Sequence, residues 1–416
     1  MAEPAAPYPG PTRALWPMVL LFWSAVLYSI DKGIVGVLAE PIRAELGLSL
    51  GQMGLLLGLA YVLLSGVLGL GLGYLVDRAG RIKLLAGCIL LWSLATIACG
   101  FAESFRSLFV FRMLVGLGEA GLAPAAVSLI ADYFSPGQRG RALSAYLIGA
   151  SVGSGLSSIL PGWIVGQNWQ VFGLLPWRSA FVVCGSLGPV VALLLLGMKE
   201  PPRRQAQGET SLLRLNEKTG WLIARRRQIA PLFAGFCLFY IALIGITAWT
   251  AAFLARRYGV SLPQFSGTLG LMLFASGMGG YLLSGIIVDS PIGRGSRGKL
   301  TILAILPIFA LPSAFATFAP NPSAAIALLA AIGLAMPAVN IATNAAIQDL
   351  MPNTIRGFTH TLLGLCSALV AGATAPWLMA TVSADLGQAF ILVGVPALLA
   401  SCLSFLFALR TLESQS

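Results

Sequence analysis

The sequence predicts an all-α membrane protein of twelve transmembrane helices in two pseudo-symmetric six-helix bundles. Three observations carry that expectation. Only 10% of the 416 residues are charged and 57% are hydrophobic, with a mean hydropathy of +0.86, whereas a soluble chain carries about 25% charged residues. Apolar runs of about 20 residues, long enough to cross hydrocarbon, recur twelve times. Short turn sequences of the first half return in the same order in the second.

The opening stretch, MAEPAAPYPGPT, is Pro-rich, and residues 1–14 are expected to form a disordered cytoplasmic N-terminus. The first apolar run is a full span with charges inside it, so it does not read as a cleavable signal peptide. Spans are expected at 15–39, 53–75, 84–102, 107–130, 142–165 and 178–198. The second set is 231–255, 265–288, 300–318, 323–348, 358–381 and 388–409. Residues 15–198 then make an N-terminal bundle, 199–230 a cytoplasmic linker, 231–410 a C-terminal bundle and 411–416 a cytoplasmic tail. The later part of the linker reads in two ways. It is either a basic amphipathic helix on the inner leaflet or a solvated connection with a topogenic charge cluster. In the first case Leu212, Leu215, Trp221 and Leu222 supply the apolar face and Arg225, Arg226 and Arg227 the charge.

Charge fixes orientation. With both termini inside, the cytoplasmic segments hold about 19 Lys and Arg against about five outside, the asymmetry of the positive-inside rule. A bacterial cytoplasmic (inner) membrane is the expected location. A net charge of +11 would suggest nucleic acid in a soluble chain, but here the basic residues sit in short loops between spans, so no nucleic-acid partner is expected. The six cysteines are scattered through apolar segments and show neither metal spacing nor a disulfide framework. No Walker-type phosphate loop and no H-E-x-x-H occurs. No cofactor, metal or enzymatic activity is therefore expected, and no ATP-driven step.

The internal repeat has three matches. Gly47-Leu-Ser-Leu-Gly-Gln52 returns as Gly259-Val-Ser-Leu-Pro-Gln264. Gln52 stands as far before Asp77 as Gln264 before Asp289. Asp132 with Arg139-Gly140 returns as Asp349 with Arg356-Gly357 at the same spacing. Two homologous bundles of this kind place a substrate site at the midplane between them and expose it alternately.

Ionisable residues inside spans are costly and mark function by default. The fourth run, FRMLVGLGEAGLAPAAVSLIAD, holds Arg112 and Glu119. They are two turns apart, about 10 Å along one helix face. Glu119 falls near mid-membrane, while Arg112 and Asp31 of the first span are nearer the outer surface at similar depth, so a pair between them is geometrically open. Burial favours a neutral carboxyl and a nearby cation favours the carboxylate. Movement of Arg112 could thus load or release a proton on Glu119 or Asp31; the alternative is a static salt bridge between the first and fourth spans. Lys32 points about 100° away from Asp31 and either contacts an anionic substrate or snorkels outward. The second half has no acid or base deep in its spans. Its polar candidates are Tyr240 and Trp249 in the seventh span and Asn340 and Asn344 in the tenth, the two Asn sharing a helix face. Each reads either as a substrate contact or as interhelical hydrogen bonding, with apolar packing a further alternative for Trp249. His360, the only histidine, is either a gate contact or an interfacial side chain.

The loop Gly73-Tyr-Leu-Val-Asp77-Arg78-Ala-Gly80-Arg81-Ile-Lys83 resembles the signature of the major facilitator superfamily, with a degraded second copy at Gly285 to Lys299. Within that superfamily the first half is most similar to the Spinster-like branch. Asp31-Lys32, Arg112, Gly118-Glu119-Ala120 with Pro124, Ser128 to Phe134, Arg139 to Ala142 and Trp177-Arg178 carry the likeness. The organic-anion/proton symporters share part of it. The resemblance implies the major facilitator fold and a cytoplasmic gate. In that gate Asp77 faces the start of the eleventh span, and Arg78, Arg81 and Arg139 pair with carboxylates such as Asp77 and Asp132. Asp289, Asp349 and Arg356 are the counterparts in the second half. It also implies that the acid-base cluster of Asp31, Arg112 and Glu119 serves proton coupling and substrate binding.

The expectation is a monomeric secondary transporter, proton-coupled, moving an amphipathic lipid-like molecule such as a lysolipid, or an organic anion, across the bilayer by alternating access. Its alternatives are a proton symporter of small organic acids and, from another class, a transporter-like sensor without flux.

Overall fold

The computed structural model describes Tyr8 and residues 11–78, 80–203 and 215–413. Among them all regular structure is helical. Among the described residues, eleven helical stretches are long and apolar enough to cross a membrane, from Ala14–Val37 to Leu386–Leu412. The second span comes in two pieces, Leu50–Leu57 and Leu59–Arg78, broken at Gly58. The fourth is also broken, into Phe105–Glu119 and Leu122–Tyr133. Its break follows from Pro124, which has no N–H to offer the Ala120 carbonyl. The eleventh span, Asn353–Val382, contains a π turn over Ala368–Gly372.

The repeated turn sequence is explained by its chemistry. Gly47 and Gly259 end their helices at φ +63° and +64°, the left-handed region that glycine enters without strain. Two residues on, Ser49 and Ser261 cap the next helices in reciprocal boxes with Gln52 and Gln264. The backbone N–H groups of Ser49 and Ser261 donate to the two Gln Oε1 atoms at 2.9 and 2.8 Å.

The chain forms two compact units. One comprises the described residues of Met1–Leu48 and Ala60–Gly208, the other those of Ser49–Leu59 and Glu209–Ser416. In the first unit, Arg81–Cys99 packs on Pro176–Leu196 and Phe105–Glu119, and the first span on Pro136–Gly166. Trp92, Leu85 and Ile89 of the third span are buried against Leu20, Leu21 and Leu129. In the second unit, Gly295–Ala310 packs on Val395–Glu413 and Pro322–Leu350, the same pairing one repeat later. Leu50–Leu57 lies in this unit against Ala375–Val382. A Cβ on Gly54 would meet the Trp377 backbone at 2.7 Å, so the contact depends on a missing side chain. Large apolar residues such as Leu193, Ile286 and Leu403 remain exposed, as a surface facing lipid requires.

The linker holds a helix at Leu215–Ala224. Leu222 is buried and the Arg225 guanidinium stacks on Trp221 at 4.1 Å. Leu212 and the side chain of Leu215 lie outside the described residues.

Candidate functional site

The mid-membrane charges are gathered by glycines. A Cβ on Gly116 would lie 2.0 Å from the Tyr61 carbonyl, and one on Gly118 2.8 Å from the Cys88 carbonyl. The fourth span therefore comes into backbone contact with the second and third. This brings Arg112, Glu119, Asp31 and Tyr61 into one place. Asp31, Arg112 and Glu119 are 2, 2 and 3% exposed, a burial that charged groups reach almost only when paired.

They are not paired in the expected way. Arg112 Nη1 donates to the backbone carbonyl of Asp31 at 3.3 Å, not to its carboxylate. No ion pair joins Asp31, Arg112 or Glu119 among the described residues. The Tyr61 hydroxyl donates to Glu119 Oε2 at 2.6 Å, and its ring lies 5.6 Å from the Arg112 guanidinium. Asp31 Oδ1, Arg112 Nε and Glu119 Oε1 are buried with no hydrogen-bond partner. Trp92 and Thr96 face Asp31, but Trp92 Nε1 and Thr96 Oγ1 also lack one. Each such group costs about 1–3 kcal/mol, and so many in one place mark a site where the fold gives up stability. The static salt bridge between the first and fourth spans is not what this geometry contains. Lys32 is exposed, with Nζ 5.6 Å from the Tyr28 ring and within electrostatic reach of Glu119.

At the basic loop the side chains of Asp77 and Arg78 lie outside the described residues. Arg81 is 1% exposed and forms an ion pair with Asp132. It also donates to Glu200 Oε1 at 2.8 Å, Ser128 Oγ at 3.0 Å and the Pro201 carbonyl at 2.9 Å. Glu200 also accepts from the backbone N–H groups of Arg81 and Ile82 at 3.1 and 3.0 Å. It thus supplies the anion that favours a helix N-terminus, at a position where Gly80 has no side chain to cap with. Arg139 departs from the expected carboxylate pairing. It donates to the Ala131 and Phe134 carbonyls at 2.8 and 3.2 Å and to the Tyr8 hydroxyl at 3.4 Å, because a helix end presents carbonyls without intrahelical partners. Arg356 does the same for the Met351 carbonyl at 2.8 Å. Lys299 Nζ meets Asp349 Oδ2 at 2.5 Å, so the second half keeps the ion pair with Lys in the place of Arg81. Asp289 is exposed.

In the second unit Asn340 Nδ2 donates to the Tyr240 hydroxyl at 2.5 Å and Asn344 Nδ2 to Asn340 Oδ1 at 3.2 Å. Tyr240 and Asn340 are partly exposed and Asn344 is exposed, so the ladder reaches the surface of its unit. Trp249 is fully buried and donates Nε1–H to the Pro376 carbonyl at 2.8 Å. It packs the seventh span on the eleventh, and its indole is not open to a ligand. His360 is half-buried near the start of the eleventh span.

Sequence reasoning missed Tyr61 and Glu200. Tyr61 stands in a run of Leu, Ala and Val; its hydroxyl at mid-span was the available signal. Glu200 sits among Lys199, Arg203 and Arg204, and its signal was the one acid at the end of a span followed by Pro-Pro.

The family model described as Major Facilitator Superfamily matches residues 21–376. An MFS-type efflux pump of Mycolicibacterium smegmatis is 29% identical over 91% of this chain and 86% of its own. Human protein spinster homolog 1 is 33% identical over 59% of this chain, which spans 47% of that protein. A crystal structure of a bacterial homologue of the human lysosomal transporter Spinster, inward-facing and unoccupied, has a TM-score of 0.80 at 22% identity. The match covers 97% of this chain and 96% of that one, and the two share a fold. The chain belongs to the Major Facilitator Superfamily and is a multi-pass integral membrane transporter of small molecules, not an enzyme.

Proposed function

We propose that this is a proton-coupled secondary transporter of an amphipathic, lipid-like or organic anionic molecule. Glu119 carries the proton, Asp31 and Arg112 set its charge state, and Tyr61 holds its carboxyl in place. The observation that carries the reading is the unlocked cluster: three buried ionisable groups side by side, without an ion pair among them and each with an unpartnered atom. A group that must gain and lose a proton cannot be locked into a permanent ion pair. Lys32 and Arg112 supply positive charge for an anionic headgroup, and the Tyr240–Asn340–Asn344 ladder supplies hydrogen bonds. Arg81 with Asp132 and Glu200, and Lys299 with Asp349, act as cytoplasmic gate contacts that hold one state of the alternating-access cycle. The protein works as a monomer in a bacterial cytoplasmic membrane, with both termini inside and bundles at 15–198 and 231–410.

The test is internal pH in proteoliposomes, with lysolipids, sphingoid lipids and organic acids presented to wild type and Glu119→Gln. A substrate-dependent pH change that the variant loses while remaining folded is the expected outcome. Wild-type, pH-dependent uptake by Glu119→Gln overturns the assignment. Labelled substrate that equilibrates without any pH change makes the protein a facilitator, and ligand binding without counterflow makes it a sensor.

A further inference from the structure

Within the second unit an open groove of about 660 Å³ runs between the start of Arg226–Tyr258 and the last turns of Val395–Glu413. Its walls are small or apolar, with Ala230, Ala234 and Ala400 making the floor shallow and Leu238, Leu403 and Phe407 flanking it. Arg226 and Arg227 stand at one end. Arg410 continues the stripe of Leu403 and Phe407 one turn further, at the same end. Among the described residues the Arg226 guanidinium reaches only the Ile223 carbonyl, at 3.4 Å. Arg227 and Arg410 are exposed and, among the described residues, have no ion pair or hydrogen bond. Beside them Arg225, the residue before this helix, stacks on Trp221 of the linker helix Leu215–Ala224, an aromatic suited to a membrane interface.

Length identifies the occupant. From Arg227 to Leu238 the groove extends about 16 Å at about 1.5 Å per residue. That is about half of the roughly 30 Å hydrocarbon core, the depth of one leaflet. We propose that this groove binds one diacyl phospholipid with an anionic headgroup, its phosphate held by Arg226, Arg227 and Arg410 and its acyl chains lying over Ala230, Ala234 and Ala400. Clustered basic residues beside a membrane helix attract anionic headgroups, and the apolar floor adds a demand for attached chains that a free phosphate does not meet. The site is separate from the buried charges of the first unit and does not rest on the transport reading.

The experiment is native mass spectrometry of the full chain, delipidated in detergent and titrated with phosphatidylglycerol or phosphatidylcholine. Wild type is expected to retain phosphatidylglycerol in preference to phosphatidylcholine. Arg226→Gln with Arg227→Gln should weaken phosphatidylglycerol on the order of thirtyfold. Ala234→Trp, which fills the floor and leaves the arginines, should lose it as well. Glycerol phosphate at the same concentration should displace none. Equal retention of the two lipids by wild type, unchanged binding in both variants, or displacement by glycerol phosphate overturns the proposal. If a variant does not purify, the wild-type comparison of the two lipids decides.

Discussion

Glu119 has one carboxylate oxygen on the Tyr61 hydroxyl and the other buried without a donor. Tyr61→Phe keeps the ring beside Arg112 and removes only that hydroxyl. It should destabilise the fold by about 1–3 kcal/mol, the cost of an unmet buried acceptor. It should also alter the pH profile of uptake, whereas a hydroxyl that serves packing alone leaves the profile as in wild type. Thermal melting in detergent and uptake across a pH series read the two effects separately. At this scale the charges themselves were legible, since an Asp, an Arg and a Glu inside apolar runs stand out against any hydropathy background. Their partners were not. A tyrosine within Leu-Ala-Tyr-Val looks like any packing aromatic, and the Arg112 bond to a backbone carbonyl leaves no trace in sequence. Arg139 and Arg356 illustrate the same limit. Their equal spacing from Asp132 and Asp349 announced equivalent roles, but both turned out to cap helix ends rather than pair with acids.

Helix packing in the first unit depends on where a side chain is absent. Gly116→Ala places a methyl into the Tyr61 carbonyl, where only backbone movement can relieve the clash. A loss of about 1–3 kcal/mol or more is expected from overpacking. Gly87→Ala in the third span meets nothing within 4 Å and should stabilise by about 0.5–1 kcal/mol through helix propensity. Opposite shifts in melting temperature for the two variants would check both. Arg81→Leu strips the cation from buried Asp132, a change that costs about 3–5 kcal/mol when one partner of a buried pair is removed. Melting of the variant tests it. The limits of the spans were readable to within a turn or two because hydrocarbon thickness sets them. The breaks at Gly58 and after Glu119 were not, because hydropathy registers how apolar a stretch is and not whether its helix is continuous. The role of Glu200 was hidden for the opposite reason: a carboxylate in a basic linker reads as solvated until the fold folds it back onto Arg81.

For the whole molecule the two repeats are equivalent in their turns and unequal in their charge. Both halves use the same glycine ends and serine caps, and both keep a cation on Asp132 or Asp349. Only the first buries acids and a base in mid-span. The proposed orientation predicts that, in a cysteine-free background, Gln170→Cys reacts with an impermeant maleimide on intact cells and Gln138→Cys only after the membrane is opened. The reverse pattern would invert the proposed topology.

The second span has a further consequence. Ser49–Leu59 belongs to the unit of the later half of the chain, although Leu48 before it and Ala60 after it belong to that of the earlier half. The polypeptide therefore passes between its two units at three places, not one. A protease site engineered into 204–214 would sever only the last of them. The two fragments should stay together through gel filtration, held by eleven residues that one half lends the other, and halves expressed from separate genes should find each other by the same loan.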